Sequence, residues 1–422
     1  MDHLGTPSRR QFLALASAGL AAPVRGQSAS ERQSGESLTG GLRPAGPGST
    51  ALAFGGDWFL TRRVSPTADG ETRRVFDVLR GADAAFVNLE NGLSTVGAPE
   101  LGAFRYGAAL RGEPELAREL SWAGVRAVSL ANNHTGNYGR EALLQTMSVL
   151  DSTGIAHAGA GRNLGDAFTA ASVQAGDLKI GFLSVYSYYY VFGADDLATH
   201  TEAGVAYCRA YDVVVQHGSS IDSSRRDQAP YLVSLEPAPT STTMAALRED
   251  VDRVKAAITE AAAHNDFVAV SVHFHWARHT KHDLPAQQRA LAQEMIDAGA
   301  DLIVGHGPHA IHGIELYRGR PIVYSVGNIV LMAPSATTPR PASTLRPRAV
   351  PAGREGLILR LIASKHSVQA VELLPIAIGD DGFPRFARDR DAANTLSKLN
   401  GLSAALGTEI QLADWFGYVE IT

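Results

Sequence analysis

Short apolar runs alternate with longer amphipathic stretches along the chain from residue 51 onward. The apolar runs predict strands at 51–54, 84–89, 125–131, 179–186, 267–274 and 301–306. Apolar positions at helical spacing predict helices at 71–80, 113–122, 138–151, 244–264 and 285–298. Strands that alternate with helices in this way indicate an α/β fold.

The segment between the fourth and fifth predicted strands breaks this alternation. Residues 187–243 contain a run of tyrosines and several Gly and Pro, without a sustained period. Long aperiodic segments are usually lids or disordered, so we predict a lid-like insertion here. Beyond the last strand of the series, the pattern predicts a hairpin that turns at Arg318 and Gly319, and then two more strands. An amphipathic stretch at 389–405 predicts a terminal helix, which makes 379–422 a C-terminal helical extension.

The first fifty residues have a different character. Arg9 and Arg10 precede a short apolar run that ends near Ala22, a pattern typical of a twin-arginine export signal. The run is shorter than the roughly 20 residues needed to span a bilayer, so we expect no permanent membrane span. We therefore predict a signal peptide at 1–26 and a flexible linker, rich in Gly, Ser and Pro, at 27–50. The protein is expected to be exported to the periplasm or the cell surface.

Charge and cysteine content exclude some classes of protein. The chain has 38 Lys and Arg against 43 Asp and Glu. It therefore lacks the broad basic surface that neutralises phosphates, and we expect no nucleic-acid partner. Cys208 is the only cysteine among 422 residues. An exported form would fold without an internal disulfide, so its stability must come from a large core.

Polar side chains recur where the predicted strands end. The carboxyl ends of strands in an open α/β sheet form the ligand crevice, so these side chains are expected to meet there. The set comprises carboxylates, asparagines and histidines: Asp57, Asn88, Glu90, Asn132, Asn133, His134, His273, His275, His306 and His309. Such a set suits two divalent metal ions about 3.5 to 4 Å apart. Its mixed nitrogen and oxygen ligands favour Mn, Fe or Zn over Ca or Mg.

Seven of the fourteen histidines lie between residues 273 and 312. His306, His309 and His312 are spaced three apart, and we expect the first two to bind metal. His312 begins the next strand and is expected to orient a neighbouring group. His279 and His282 lie in a polar stretch and are expected to be solvated or to support the ligands from outside.

The ordered series of motifs resembles the capsule-synthesis CapA, or poly-γ-glutamate, family, a branch of the calcineurin-like metallophosphoesterase superfamily. The resemblance covers about residues 51–378. It is carried by FGGDW, FVNLEN, SLANNHTGNYG and the region from GADLIVGHGPH to YSVGN. It implies a four-layer α/β/β/α metallophosphoesterase-like sandwich.

The resemblance also implies roles for individual residues. Asp57 would bind the first metal and act in catalysis, Glu90 would bridge, and Asn133 would bind the second metal. His134 would be the catalytic general acid that protonates the leaving group. The remaining ligands implied are His306, His309 and one of His273 and His275.

Three positions depart from the family pattern. Trp58 and Phe59 follow Asp57, where the superfamily usually has Asp-x-His. Asn137 stands where an aspartate is expected after the Asn-His pair. The first of the paired histidines in the family's His-His-Pro-His is flanked by glycine here, in GHGPH. The first departure removes a ligand, and together the three suggest one tightly bound and one loosely bound metal.

The resemblance implies an exported metal-dependent hydrolase that acts on an anionic cell-surface polymer or peptide, such as poly-γ-glutamate, in capsule synthesis or processing. Three alternatives remain open. The same dinuclear site could hydrolyse a phosphate ester, or the chain could be a non-catalytic subunit that binds or exports capsule polymer. The third is metal-free acid/base chemistry by Asp57, Glu90 or a histidine.

Overall fold

The structure is a computed structural model that describes residues 42–100, 109–189, 196–216, 240–275, 284–332, 353–413 and 415–421. The predicted signal peptide, most of the predicted linker, His279, His282 and parts of the 187–243 segment lie outside these residues. Within the described residues, no helix has both the length and the apolar character that crossing a membrane requires.

The described chain folds into β-strands and α-helices that alternate through most of its length. The strands are β1 Thr50–Phe59, β2 Ala84–Leu89, β3 Gly92–Leu93, β4 Arg111–Gly112, β5 Val125–Ser129, β6 Ala156–Ala158, β7 Ala160–Gly161, β8 Ala171–Ala175, β9 Leu178–Tyr189, β10 Gly204–Val205, β11 Tyr207–Gln216, β12 Thr240–Ala246, β13 Phe267–His275, β14 Leu302–His306, β15 Ile314–Tyr317, β16 Arg320–Val323, β17 Asn328–Leu331, β18 Glu355–Ser364, β19 Ser367–Ile378, β20 Pro384–Phe386, β21 Gln411–Leu412 and β22 Gly417–Val419. The helices are α1 Gly70–Gly81, α2 Ala117–Trp122, α3 Gly139–Ser152, α4 Leu164–Ala167, α5 Arg248–His264, α6 Ala286–Asp297 and α7 Asp389–Ala404. All six strands and all five helices predicted in the alternating region are present, with shifted ends.

Ten strands form a mixed sheet around β1, in the order β21-β22-β19-β18-β1-β2-β5-β6. In addition, β17 pairs with β1 and β20 pairs with β19. The strand β1 changes partner along its length. It pairs antiparallel with β18 from Thr50 to Phe54 and parallel with β17 from Asp57 onward. On its other side it runs parallel to β2.

Eight strands form a second sheet, in the order β12-β11-β9-β13-β14-β16-β15, with β8 paired to β9. Its central strands β9, β13, β14 and β16 are parallel. The predicted hairpin is β15–β16. Its turn residues Arg318 and Gly319 have φ values of 51° and 72°, as expected for a tight two-residue hairpin turn.

The two sheets pack face to face, and helices cover their outer faces. Phe86 of β2 and Phe182 of β9 meet in the apolar layer between the sheets, with ring centroids 4.9 Å apart. Apolar side chains of α1, α2 and α3 pack on the outer face of the first sheet. Those of α5 and α6 pack on the outer face of the second sheet. This arrangement confirms the predicted α/β/β/α sandwich.

Two segments are more regular than the sequence pattern indicated. Within 187–243, β11 and the start of β12 extend the second sheet, because β11 pairs in parallel with β9 and antiparallel with β12. The segment 379–422 contains the predicted helix as α7, but it also supplies β20, β21 and β22 to the first sheet. Short strands of this kind depend on distant pairing partners, which local periodicity does not report.

Candidate metal centre

Polar residues from both sheets meet at one end of the sandwich, where the parallel strands end. In the first sheet Asp57 of β1 is the register partner of Asn88 in β2. In the second sheet His273 of β13 is the register partner of His306 in β14. Nδ1 of His306 lies 3.3 Å from Oδ1 of Asp57, so the two sheets bring these residues together.

Two glycines and an irregular register place Asp57. The change of partner in β1 occurs at Gly55 and Gly56, and the register with β17 shifts between Asp57 and Trp58. A Cβ on Gly56 would lie 2.1 Å from the carbonyl oxygen of Gly327, so only glycine fits there. The backbone N–H of Asp57 donates to the same oxygen at 3.0 Å. The close approach of β17 therefore requires glycine immediately before Asp57.

The Asp57 carboxylate is fully buried and surrounded by donors. Asn88 Nδ2 donates to Oδ1 at 2.8 Å, and the backbone N–H of Gly307 donates to Oδ2 at 3.3 Å. Nδ1 of His309 lies 3.0 Å from Oδ2. Burial by itself raises the pKa of Asp57, but the contacts with His306 and His309 outweigh burial and hold this pKa well below its usual value. Asp57 is therefore a carboxylate in the folded protein.

Glu90 lies next to Asp57, and its surroundings shift its pKa in the opposite direction. It follows β2 directly, and its backbone N–H donates to the carbonyl oxygen of Trp58. Neither carboxylate oxygen has a hydrogen-bond partner among the described residues. Nε2 of His273 lies 3.6 Å from Oε1, and Nε2 of His309 lies 3.7 Å from it. Burial, and then the charge of Asp57, raise the pKa of Glu90 well above its usual value.

Further buried ligand atoms near these carboxylates also lack hydrogen bonds in the described part of the chain. They are Asn133 Oδ1, His273 Nε2 and His306 Nδ1. Ligand atoms of Asp57, Glu90 and His273 all lie within 4.8 Å of one another. Buried polar atoms are nearly always satisfied in native proteins, and these are oxygen and imidazole nitrogen ligands suited to Mn, Fe or Zn. The residues present therefore fit a divalent cation.

His309 is held with one ring nitrogen toward the carboxylates. Its φ is 53°, a left-handed conformation that few residues other than glycine adopt. Its Nδ1 lies 3.0 Å from Oδ1 of Asn328, whose Nδ2 donates to the carbonyl oxygen of Gly353. Both neighbours of Nδ1, Asp57 and Asn328, present oxygen acceptors, so Nδ1 carries the proton. Nε2 is the ring nitrogen on the Glu90 side, 3.7 Å from Oε1 of that residue.

The ANNHTGNYG motif forms a tight loop between β5 and α3. Oδ1 of Asn132 accepts from the backbone N–H groups of His134 and Thr135, each at 3.0 Å. Nδ2 of Asn132 donates to Oδ1 of Asn88 at 3.1 Å. Because Asn88 in turn donates to Asp57, the loop and the buried carboxylate belong to one hydrogen-bond network.

His134 and His275 are not among the residues whose ligand atoms group within 4.8 Å of one another in the described part of the chain. The ring of Phe59 contacts His134 and His309, with centroids 6.1 and 5.4 Å away. Burial is the main cause that lowers the pKa of His134 to about 4. His275 lies two residues beyond His273 on the same face of β13, and the two rings are parallel with centroids 6.5 Å apart. Burial, followed by the charges of His134 and His309, lowers the pKa of His275 to about 3.

The structure thus brings some of the predicted histidines close to the two carboxylates and leaves others farther away. His273, His306 and His309 have ring nitrogens within 3.7 Å of Asp57 or Glu90. His273, and not His275, is the histidine that groups with both carboxylates in the described residues. His312 is buried, and its backbone N–H donates to the carbonyl oxygen of Ser325.

Sequence reasoning missed the roles of three asparagines in this site. Asn88 and Asn328 hold Asp57 and His309, and Asn137 holds His134 through a contact of 2.7 Å. Asn88 and Asn137 stand in FVNLEN and NHTGN, motifs that also contain a predicted ligand, and Asn328 ends YSVGN, a further motif of the family resemblance. These positions are the signal that could have identified them.

Comparison with known proteins gives a family match and several relatives. Residues 51–332 match the family described as bacterial capsule synthesis protein PGA_cap. An uncharacterized protein of Sinorhizobium fredii, y4sH, is 26% identical over 89% of this chain and 93% of its own length. The capsule biosynthesis protein CapA of Bacillus anthracis is 25% identical over 52% of this chain and 44% of its own length. A probable polyglutamine synthesis accessory protein of Mycobacterium tuberculosis is 28% identical over 59% of this chain and 55% of its own length.

The matched residues include both buried carboxylates and all the candidate histidine ligands, and they make up more than half of the chain. They also include the four motifs on which the resemblance to the CapA family was based. The chain belongs to the bacterial capsule synthesis protein PGA_cap family.

Proposed function

We propose that this chain is an exported, metal-dependent hydrolase that cleaves an anionic polymer or peptide of the cell envelope. The observation that carries the proposal is the set of buried ligand atoms without hydrogen bonds around Asp57, which a divalent cation would satisfy. Family membership supports a role in capsule synthesis. The relatives named for capsule biosynthesis and for polyglutamine synthesis make poly-γ-glutamate the first substrate to test.

The ligands of this proposal come from both sheets and one loop. The set consists of Asp57, Glu90, Asn133, His273, His306 and His309. It offers oxygen and nitrogen ligands for two ions of Mn, Fe or Zn. Divalent cations held in this way polarise a scissile carbonyl or phosphoryl group and activate water at neutral pH.

The protein side chains have separate tasks in this proposal. Asp57 stays ionised and is held in place by Asn88, so its orientation does not depend on the cation. The pKa of Glu90 is raised in the metal-free protein, and a bound cation would favour the ionised form of this carboxyl group. His134 supplies the proton-transfer group beside the centre. Phe59 packs against His134 and His309 and excludes water from that side.

Hydrolysis of poly-γ-glutamate tests this function directly. We expect the purified protein to shorten the polymer and release amino groups, and to lose this activity with a chelator. Asp57→Ala should lower the rate by roughly 10³-fold or more, because it removes a ligand and the charge at the centre. Asp252→Asn, an exposed carboxylate on α5, is the matched control and should leave the rate unchanged. Equal rates in Asp57→Ala and the unmodified protein would reject the proposal.

The same assay separates the other functions. Cleavage of a chromogenic phosphodiester, with no effect on the polymer, would identify a phosphoesterase with this site. Polymer binding that survives chelation, without cleavage, would identify a binding or export subunit.

A metal-free acid/base enzyme is the second candidate, and one observation favours it. Asp57 and Glu90 are neighbouring carboxyl groups whose pKa values move in opposite directions, an arrangement typical of an acid and a base. Activity on a peptide substrate that is unaffected by chelation and lost in Glu90→Gln would establish it.

A further inference from the structure

We infer that Asn137 is a positioning residue that fixes His134 in the tautomer protonated at Nδ1, which leaves the lone pair of the ring at Nε2. The tautomer itself follows from hydrogen-bond geometry alone. Its catalytic consequence rests on the proposed hydrolase function. The resemblance implies that His134 protonates the leaving group. The fixed tautomer would also let His134 take a proton from the attacking water in the earlier step.

The orientation of the Asn137 amide is fixed at both ends. Its Nδ2 donates to the backbone carbonyl oxygen of Asn133 at 3.2 Å. Its Oδ1 accepts from the backbone N–H of Leu110 at 2.9 Å. Reversing the amide would place its NH₂ group against the N–H of Leu110 and its oxygen against a carbonyl oxygen. The atom that faces His134 is therefore the oxygen.

This oxygen determines which nitrogen of His134 carries the proton. Nδ1 of His134 lies 2.7 Å from Oδ1 of Asn137. An amide oxygen can only accept, so Nδ1 must be the N–H donor. A neutral imidazole has one N–H, so Nε2 carries a lone pair. Both side chains are buried, which prevents water from replacing Asn137 as the acceptor.

The amide differs from a carboxylate in one property that matters here. Aspartate at position 137 would also accept from Nδ1, but it would add a negative charge that stabilises the doubly protonated ring. Asn137 supplies the geometry without the charge. The resting side chain therefore keeps its lone pair at Nε2, on a ring that lies beside Phe59.

In amide hydrolysis this tautomer gives a balanced proton path. As the water oxygen bonds to the carbonyl carbon, Nε2 of His134 takes one proton from that water. As the carbon–nitrogen bond breaks, the same proton passes from Nε2 to the leaving nitrogen. The hydroxyl remains on the acyl product and the amine leaves with the proton, while Asn137 holds Nδ1–H throughout. His134 then acts in both steps.

Nitrogen-15 NMR of histidine-labelled full-length protein, metal-depleted and zinc-loaded, tests the tautomer without any substrate. A His134→Gln variant identifies the resonances of His134. We expect Nδ1 protonated and Nε2 unprotonated at neutral pH. Asn137→Asp keeps the acceptor and should keep Nδ1 protonated. Asn137→Ala should lose the fixed tautomer, whereas the control Asn400→Ala, whose side chain binds Ile410 N–H far along the chain, should not.

Protonation of His134 at Nε2 in the unmodified protein would overturn the inference, even if Asn137→Ala failed to fold. A fixed Nδ1–H in a folded Asn137→Ala variant would also overturn it. With poly-γ-glutamate as the probe, Asn137→Ala should lower kcat roughly 10-fold to 100-fold with KM changed less than about twofold. Absence of hydrolysis by the unmodified protein would reject the proposed function, while the NMR result would still decide the tautomer.

Discussion

At the scale of single residues, the site depends on two buried carboxyl groups with different surroundings. Asp57 receives hydrogen bonds from Asn88 and Gly307 and remains ionised. Glu90 has no hydrogen-bond partner for either oxygen among the described residues, and its pKa is raised. A cation held by these residues would favour the ionised form of Glu90, whereas Asp57 is ionised without it.

Glu90→Gln should therefore have opposite effects with and without metal. The raised pKa of Glu90 means that the folded state binds this proton more tightly than the unfolded chain. In metal-depleted protein its contribution to stability is complete below the unfolded pKa of about 4.3 and falls as the pH rises toward the folded pKa. The substitution removes this loss, so the free energy of unfolding at neutral pH should rise by on the order of 1 kcal/mol.

Denaturant titrations at several pH values, with and without Mn or Zn, measure both effects. The variant should lose most of the stabilisation that the added metal gives to the unmodified protein. Glu141→Gln, at an exposed position of α3, is the control and should change neither quantity. Metal stabilisation of Glu90→Gln equal to that of the unmodified protein would show that Glu90 is not a ligand.

The sequence predicted the candidate ligands better than the groups that hold them. Asp57, Glu90 and His306 could be predicted because the ends of neighbouring strands meet at one edge of a sheet. The choice of His273 over His275 needed coordinates, since both side chains leave the same face of β13. The motifs mark Asn88 and Asn328, but the partners of these two asparagines were not predictable, because the partners lie on different strands and loops. The side chains of Asn88 and His273, for example, are 185 positions apart in the sequence.

At the scale of elements, the change of partner in β1 places Asp57 in the site. The strand leaves β18 after Phe54 and approaches β17 at Asp57, and the approach is closest at Gly56. Periodicity predicted the first part of this strand and the strands beside it. It gave no indication of the change of partner, because β17 and β18 are encoded more than 270 positions later.

Gly56→Ala should damage both stability and the site. The added Cβ would lie 2.1 Å from the carbonyl oxygen of Gly327, so the backbones of β1 and β17 must separate. We expect a loss of about 2 to 4 kcal/mol in the free energy of unfolding, in the range of backbone strain and overpacking in a core. Because Asp57 moves with its strand, metal affinity should fall as well.

The matched control is Gly401→Ala, in the last turn of α7, where an added Cβ meets no atom within 4 Å. It should stabilise the protein by about 0.5 to 1 kcal/mol, because alanine is the better helix former. Thermal and urea unfolding of the two variants provides the comparison. Equal stability of Gly56→Ala and the unmodified protein would contradict the close packing of β1 against β17.

At the scale of the whole molecule, the sandwich includes the C-terminal segment. The backbone N–H of Ile314 donates to Oγ of Ser403, and the N–H of Leu316 donates to Oγ1 of Thr408. These contacts cover the edge strand β15, while β22 pairs with β19. Leu399 of α7 is fully buried in the apolar layer between the sheets. The sequence predicted α7 as an extension. Only the tertiary contacts show that its segment adds strands to the first sheet and binds the edge strand of the second.

Leu399→Ala tests whether this segment stabilises the sandwich. Because Leu399 is completely buried, the truncation should cost about 2 to 5 kcal/mol of unfolding free energy. Leu412→Ala, in β21, is the control, since Leu412 is 58% exposed and should change stability by less than about 0.5 kcal/mol. Small effects in both variants, measured by urea unfolding, would mean that the C-terminal segment does not share the core.

Metal content, measured by elemental mass spectrometry, tests most directly whether the buried group around Asp57 binds a divalent metal. The purified protein is compared with Asp57→Ala and His306→Ala, and with His264→Ala as a control at an exposed position of α5. We predict about one to two equivalents of Mn, Fe or Zn in the unmodified protein and the control, and a large loss in both site variants. Folded protein that takes up none of these ions, or unchanged metal content in the site variants, would show that this buried group is not a metal site.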